Sequence, residues 1–224
     1  MEEFISRESA GVLLGTQLAR LNLRNPYLLA IPRGGVQVAK GVADALRIPI
    51  HTIVAKKVAL PEDPEVAIGA MTEDEMGYLD QEIFVVSHVS HPELDSVAEL
   101  TNHEVKRRAE LYGRPDEGRI ANSTVIVVDD GVATGASMIA SLKRIKKLGP
   151  QGLIAAVPVC ARAAVDPITR LANRFVTLGV SDRRFFAVAD FYQEWKDLTD
   201  LEIVGILKEY ERKYAGAVYS SRSI

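Results

Sequence analysis

The chain is poor in cysteine, with Cys160 alone among 224 residues. One thiol excludes an intramolecular disulfide, and its place after an apolar run reads as a buried, unreactive side chain. A basic excess is missing too: 27 Lys and Arg stand against 30 Asp and Glu, a formal net charge of −3. Sequence-independent nucleic-acid binding rests on neutralising many phosphates and is therefore disfavoured, although a local basic patch is not. No apolar run approaches the roughly 20 residues that span a bilayer. Met1-Glu2-Glu3-Phe4 lacks the basic start and apolar core of a secretory signal. The resulting expectation is a cytoplasmic protein with no membrane partner. His51, His88, His91 and His103 do not fall at metal-ligand spacing, and the serines beside His88 and His91 belong to no Gly-x-Ser-x-Gly elbow. A Gly-x-x-x-x-Gly-Lys-Ser/Thr nucleotide loop is absent as well.

What is present suits a chain with a real core: 47% hydrophobic and 25% charged residues, ordinary values for a globular domain. No repeat, low-complexity tract or linker divides it, so residues 1–224 read as one domain. Strand and helix signals alternate, which implies an α/β fold with a central, mainly parallel sheet flanked by helices. Helices are expected over Ser6–Leu21, around Val38–Leu46, over Glu93–Tyr112, Ser137–Leu148 and Arg162–Leu171, and from the capping box Thr199-x-x-Glu202 onward. Strands are expected over Tyr27–Ile31, Ile50–Ala55, Val125–Val128, Leu153–Val159 and Phe175–Val180, with short candidates at Val66–Ala70 and Ile83–Val86. The run Lys143-Arg144, Lys146-Lys147 reads as the solvent face of its helix, and the tail after Ala215 as frayed.

The chemistry concentrates after Val128. Asp129 and Asp130 end the strongest strand, and a turn of small residues follows: Gly131, Val132, Ala133, Thr134, Gly135, Ala136, Ser137. Small residues let backbone approach a ligand, and the helix that opens at the far end offers unpaired N–H groups and partial positive charge. Together these form a phosphate cradle. Two carboxylates beside it would repel an anion, so they suit sugar hydroxyls or a metal such as Mg2+, which needs few carboxylate ligands. A ribose 5-phosphate meets all of these demands.

Val125 to Ser137 resembles the 5-phosphoribosyl 1-pyrophosphate (PRPP) motif of type I phosphoribosyltransferases: four apolar residues, two acids, then a loop closing on Thr-Gly-x-Ser/Thr. The resemblance implies PRPP bound by Asp129, Asp130, Gly131, Ala133, Thr134, Gly135, Ala136 and Ser137, with Mg2+ held at Asp129 and Asp130 directly or through ribose and water. Arg33-Gly34-Gly35, after the first core strand, would be the pyrophosphate loop, where many members carry a cis peptide. Lys56-Lys57 resembles the basic pair that reaches pyrophosphate, with Leu60–Glu75 as a closing catalytic loop. Arg33 and Lys57 are the expected catalytic residues, and a nitrogen acceptor would displace pyrophosphate. Ala133 stands where 6-oxopurine-specific members have Asp, which counts against hypoxanthine or guanine. An acceptor-binding hood is expected from parts of 76–120 and 182–214, including Arg183-Arg184-Phe185-Phe186 and Phe191-Tyr192. The segments Ile31–Val36, Pro64–Ala70 and Arg107–Tyr112 bring the chain nearest to an uncharacterised branch sometimes fused to an α/β-hydrolase domain. A non-catalytic PRPP-sensing regulator is the alternative. Members are commonly dimers, so a homodimer is compatible with the resemblance.

Overall fold

The computed structural model describes residues 3–60, 63, 66–73, 77–183 and 186–215. Five strands, β1 (Pro26–Ala30), β2 (Ile50–Thr52), β6 (Thr124–Val128), β7 (Gly152–Ala161) and β8 (Arg174–Ser181), form one sheet in the order β2-β1-β6-β7-β8. Every neighbouring pair in it is parallel. A second sheet, β3 (Ala55–Ala59), β4 (Ala67–Thr72) and β5 (Gly77–Leu79), is antiparallel.

Side-chain alternation along the central strands divides the core in two. Leu28, Ala30, Ile126 and Val128 face a layer made by α1 (Arg7–Ala19), α2 (Gly34–Leu46) and α8 (Asp200–Tyr214). Tyr27, Leu29, Val125 and Val127 face α6 (Ala136–Lys147) and α7 (Arg162–Thr169) on the other side. Strands buried on both faces explain the unbroken apolar runs of β6 and β7. Because β1 and β6 are adjacent and the strand order reverses between them, their carboxyl ends open a crevice suited to a ligand.

Three expectations need correction. Ile83–Val86 is not a strand but the body of α3 (Gln81–Val86). Asp80 caps it, its carboxylate accepting the N–H groups of Glu82 and Ile83 at 3.1 Å each, and a satisfied N-cap outweighs the weak strand preference of two valines. Part of Leu60–Glu75 is not a loop: residues 67–72 are the buried strand β4, while 61, 62, 64, 65, 74 and 75 lie outside the described residues. Arg144 does not face solvent. It is 4% exposed and pairs with the buried Glu73 at 3.0 Å, fastening β4 to α6. The expected fraying beyond Ala215, and Arg184-Phe185 of the hood, also fall outside the described residues.

The rest follows the pattern. α4 (His91–Tyr112) starts at a Ser90–Glu93 capping box and stops at Gly113. α8 starts at the Thr199–Glu202 box. Three short elements escaped the sequence reading, β5, α5 (Glu117–Ile120) and a 3-10 turn at Val188–Phe191, and the strand expected over Ile50–Ala55 is split, β2 ending at Thr52 and β3 starting at Ala55. Cys160 is buried, and burial pushes its thiol up to about 11. Among the described residues no helix is long and apolar enough to cross a membrane.

His51, on the edge strand β2, packs against the Tyr27 ring at 4.6 Å. Burial, and then the nearby Arg119 charge, lower its pKa from 6.5 to about 4. The neutral ring is the folded form, so its contribution is intact above pH 6.5 and is lost as pH falls through about 4. The full loss is about 3 kcal/mol at most. Urea titrations from pH 7 to 4 should show an acid-side decline that His51→Phe reduces. An identical decline in the variant would remove His51 from the acid response.

Candidate functional site

β6 delivers Asp129 and Asp130 to the carboxyl end of the sheet, and the turn to α6 wraps beside them. A groove of about 160 Å³ is lined by Lys57, Asp129, Asp130, residues 131–138 and Val188. α6 is capped by Gly135 at φ +87°, a left-handed conformation that glycine adopts without strain. The first helical bond there runs from the Ile139 N–H to the Gly135 carbonyl at 2.8 Å. The amides of Ser137 and Met138 precede it and have no acceptor within the helix. The Thr134 hydroxyl accepts the Ala136 N–H at 3.4 Å, which tightens the turn.

The acids are crowded. Asp129 accepts the backbone N–H of Asp130 at 2.9 Å. Burial, and then the charge of Asp130, hold the Asp129 carboxyl well above the usual range, with Lys57 opposing weakly. Burial also raises Asp130, while Arg7 opposes, its Nε 2.7 Å from Asp130 Oδ2. A site that keeps two carboxylates close and poorly solvated favours a ligand bearing a cation or hydroxyl donors.

The second loop comes from β1. The Pro32–Arg33 peptide is cis, and α2 begins at Gly34 with no side-chain cap. Gly34 and Gly35 press directly on the acids: a Cβ on Gly34 would lie 1.8 Å from Asp130 Oδ2, and one on Gly35 would lie 3.0 Å from the Asp129 Cα. Only glycine permits this approach.

The basic residues divide between two sides. Along β3, Lys56 and Lys57 point to opposite faces. Lys57 lines the groove. Lys56 faces α4, where its charge is felt by Glu104. Arg33 also lies toward α4, with its charge felt at the Tyr112 hydroxyl beside that of Arg108. The structure therefore gathers Gly131, Ala133, Thr134, Gly135, Ala136, Ser137, Lys57 and both aspartates around one groove. It sets Gly34 and Gly35 beneath that groove, and leaves Arg33 and Lys56 on its α4 side.

The profile of the phosphoribosyl transferase domain family matches residues 11–188, from α1 through the turn that carries Val188. The chain belongs to that family. A phosphoribosyl transferase of Mycobacterium tuberculosis, whose own assignment is provisional, is 34% identical over 222 residues in both strain H37Rv and strain CDC 1551. That match covers 97% of this chain and 49% of the relative, so the chain spans about half the length of the curated relatives it matches. The crystal structure of TT1426 from Thermus thermophilus is 34% identical and superposes with a TM-score of 0.72, covering 94% of this chain and 99% of that one. A Neisseria gonorrhoeae protein at 16% identity and TM-score 0.51 shares the fold over 93% of this chain and 98% of its own.

Within this phosphoribosyl transferase domain, sequence reasoning missed Arg7, Val188 and the role of Tyr192. The Tyr192 hydroxyl donates to the Asp130 carbonyl, so this ring braces the acidic pair. Val188 packs over Gly131, where a Cβ would meet its Cγ1 at 2.6 Å. Neither contact has a local sequence signature, because both partners lie about 60 residues apart in the chain.

Gly34→Ala should destabilise the protein by about 2 kcal/mol through overpacking against Asp130. Gly205→Ala, on α8 with nothing within 4 Å of the new Cβ, should instead stabilise by up to about 1 kcal/mol. Urea denaturation of the two variants checks this. A neutral Gly34→Ala would mean that the loop and Asp130 do not press together in solution.

Proposed function

We propose that the groove binds PRPP with Mg2+ and that the protein transfers the 5-phosphoribosyl group to a nitrogen acceptor, releasing pyrophosphate. The observation that carries this reading is the meeting of the Asp129–Asp130 pair with the N-terminal amides of α6 at Ser137 and Met138, which have no acceptor within the helix, in one groove that Lys57 also enters. The 5-phosphate accepts hydrogen bonds from the turn and from the Thr134 and Ser137 hydroxyls. The ribose hydroxyls donate to the two carboxylates.

The donor set fits magnesium. Asp129 and Asp130 are oxygen ligands whose crowding a divalent cation would relieve, and Mg2+ takes one or two carboxylates together with ligand oxygens. When bound, the metal neutralises charge on the pyrophosphate. The protein's own part is positioning and electrostatics. Gly34 offers its amide to the pyrophosphate, while the Gly35 N–H is held by the Ile31 carbonyl at 3.1 Å and shapes the loop. Lys57 from the groove side, and Arg33 with Lys56 from the α4 side, stabilise the charge that builds as the C1–O bond breaks and its electron pair leaves with pyrophosphate. The acceptor nitrogen forms the new bond to C1. It is received between parts of 76–120 and 182–214, and Ala133 offers it no carboxylate.

Asp129→Asn and Asp130→Asn should each weaken Mg2+-dependent PRPP binding tenfold or more by titration calorimetry, in line with the loss of a charged hydrogen-bond partner. Lys57→Ala should leave thermal unfolding unchanged and slow pyrophosphate release roughly 10- to 100-fold, measured across purines, pyrimidines, amines and ammonia. Unaltered affinity in both aspartate variants would refute the site. Tight PRPP binding with no pyrophosphate release from any acceptor would refute the transfer and favour a sensor.

A further inference from the structure

Arg7 is the first residue of α1, directly behind the Ser6 cap. A cation there faces the positive end of the helix dipole, and at 5% exposure it is also stripped of water. Helix stability does not call for arginine at this position, so its partners are the explanation. Its Nε donates to Asp130 Oδ2 at 2.7 Å, and its Nη1 donates to Gln37 Oε1 at 3.1 Å and to the Lys196 carbonyl at 2.9 Å. Trp195 covers the guanidinium, with Cζ 3.4 Å from the ring centroid.

The segment that carries Trp195 is tied to the chain just before α1. Phe4 N–H donates to the Phe191 carbonyl at 2.8 Å, and Gln193 and Glu194 donate back to Phe4 and Ile5 at 2.9 Å each. Asp130 is therefore fixed at several points: its carboxylate by Arg7, its carbonyl by Tyr192, and its carboxylate face by Gly34. Arg7 occupies Oδ2, and the Asp129 carboxyl hydrogen-bonds the same side chain, so the Asp130 carboxylate has a single orientation at the groove.

We propose that Arg7 is a positioning residue that aims Asp130 at the ribose and thereby sets selectivity for a ribosyl over a 2-deoxyribosyl phosphate. This rests on the phosphoribosyl reading of the groove. Arg7 touches no part of the ligand. It orders the carboxylate that would pair with the C2 hydroxyl, and an ordered acceptor left unpaired by a deoxy sugar penalises that sugar. Three donors in a rigid fork perform this role, which a lysine ammonium could fill only in part.

The test is calorimetric titration of ribose 5-phosphate and 2-deoxyribose 5-phosphate, each with Mg2+, into wild type, Arg7→Gln and Arg7→Lys. Wild type should prefer the ribosyl ligand about tenfold or more. Arg7→Gln should bring the two within about twofold by weakening the ribosyl ligand alone, since the phosphate turn is untouched, and Arg7→Lys should fall between. Equal weakening of both ligands with an unchanged ratio would reduce Arg7 to a structural residue and overturn the proposal. If Arg7→Gln does not fold, Arg7→Lys decides: a full wild-type ratio overturns it. Wild type that binds both sugars equally contradicts the inference alone, whereas wild type that binds neither contradicts the phosphoribosyl reading beneath it.

Discussion

Two adjacent, partly buried carboxylates repel each other and lose solvation, and most of the molecule around the groove is arranged to contain that conflict. Asp129 takes the backbone N–H of its neighbour. Asp130 takes Arg7 from α1 and lies against Gly34 from the first loop. Its carbonyl takes Tyr192 from the far end of the chain. Three separate stretches thus converge on two residues. A buried ion pair of this kind is poor evidence for stability, because desolvation offsets most of its attraction. What it offers is a fixed geometry, which the proposed binding of sugar hydroxyls and a cation would require.

A second buried pair performs a parallel task. Glu73 follows β4 and meets Arg144 of α6 at 3.0 Å, with Arg144 also 3.5 Å from Glu117. The hairpin that carries Lys57 is thereby fastened to the helix whose N-terminus closes the small-residue turn after β6. Lys57 and the turn are consequently placed relative to each other by a contact far from the groove. The antiparallel β3–β4 pairing, which includes Lys57 opposite Ala70, completes this link.

Much of this was legible in the sequence, and for identifiable reasons. The central strands are buried on both faces, so their apolar runs are long and unmistakable. The capping box of α8 and the small-residue turn after β6 are local patterns that need no tertiary context. The misread segments were those where a single distant or polar contact decides. Ile83–Val86 has the composition of a strand, and the Asp80 cap makes it a helix. Arg144 reads as solvated because its run is basic, although Glu73 buries it. Arg7 was invisible for a similar reason, since its partner lies 123 residues away. One clue was present in the sequence: an arginine just after a helix-capping serine opposes the helix dipole and needs a compensating anion. The acceptor leaves no such mark, because aromatic residues such as Phe186 and Phe191 pack on each other at 5.0 Å as readily as on a base.

Where a sugar phosphate sits decides the role of the groove. A crystal structure of the protein soaked with ribose 5-phosphate and magnesium is the most direct measurement. The phosphate is expected against the amides of the turn between Ala133 and Met138, with the ring hydroxyls on Asp129 and Asp130 and Arg7 still on Asp130 Oδ2. A phosphate bound elsewhere, or a sugar turned so that its hydroxyls face away from both aspartates, would contradict it.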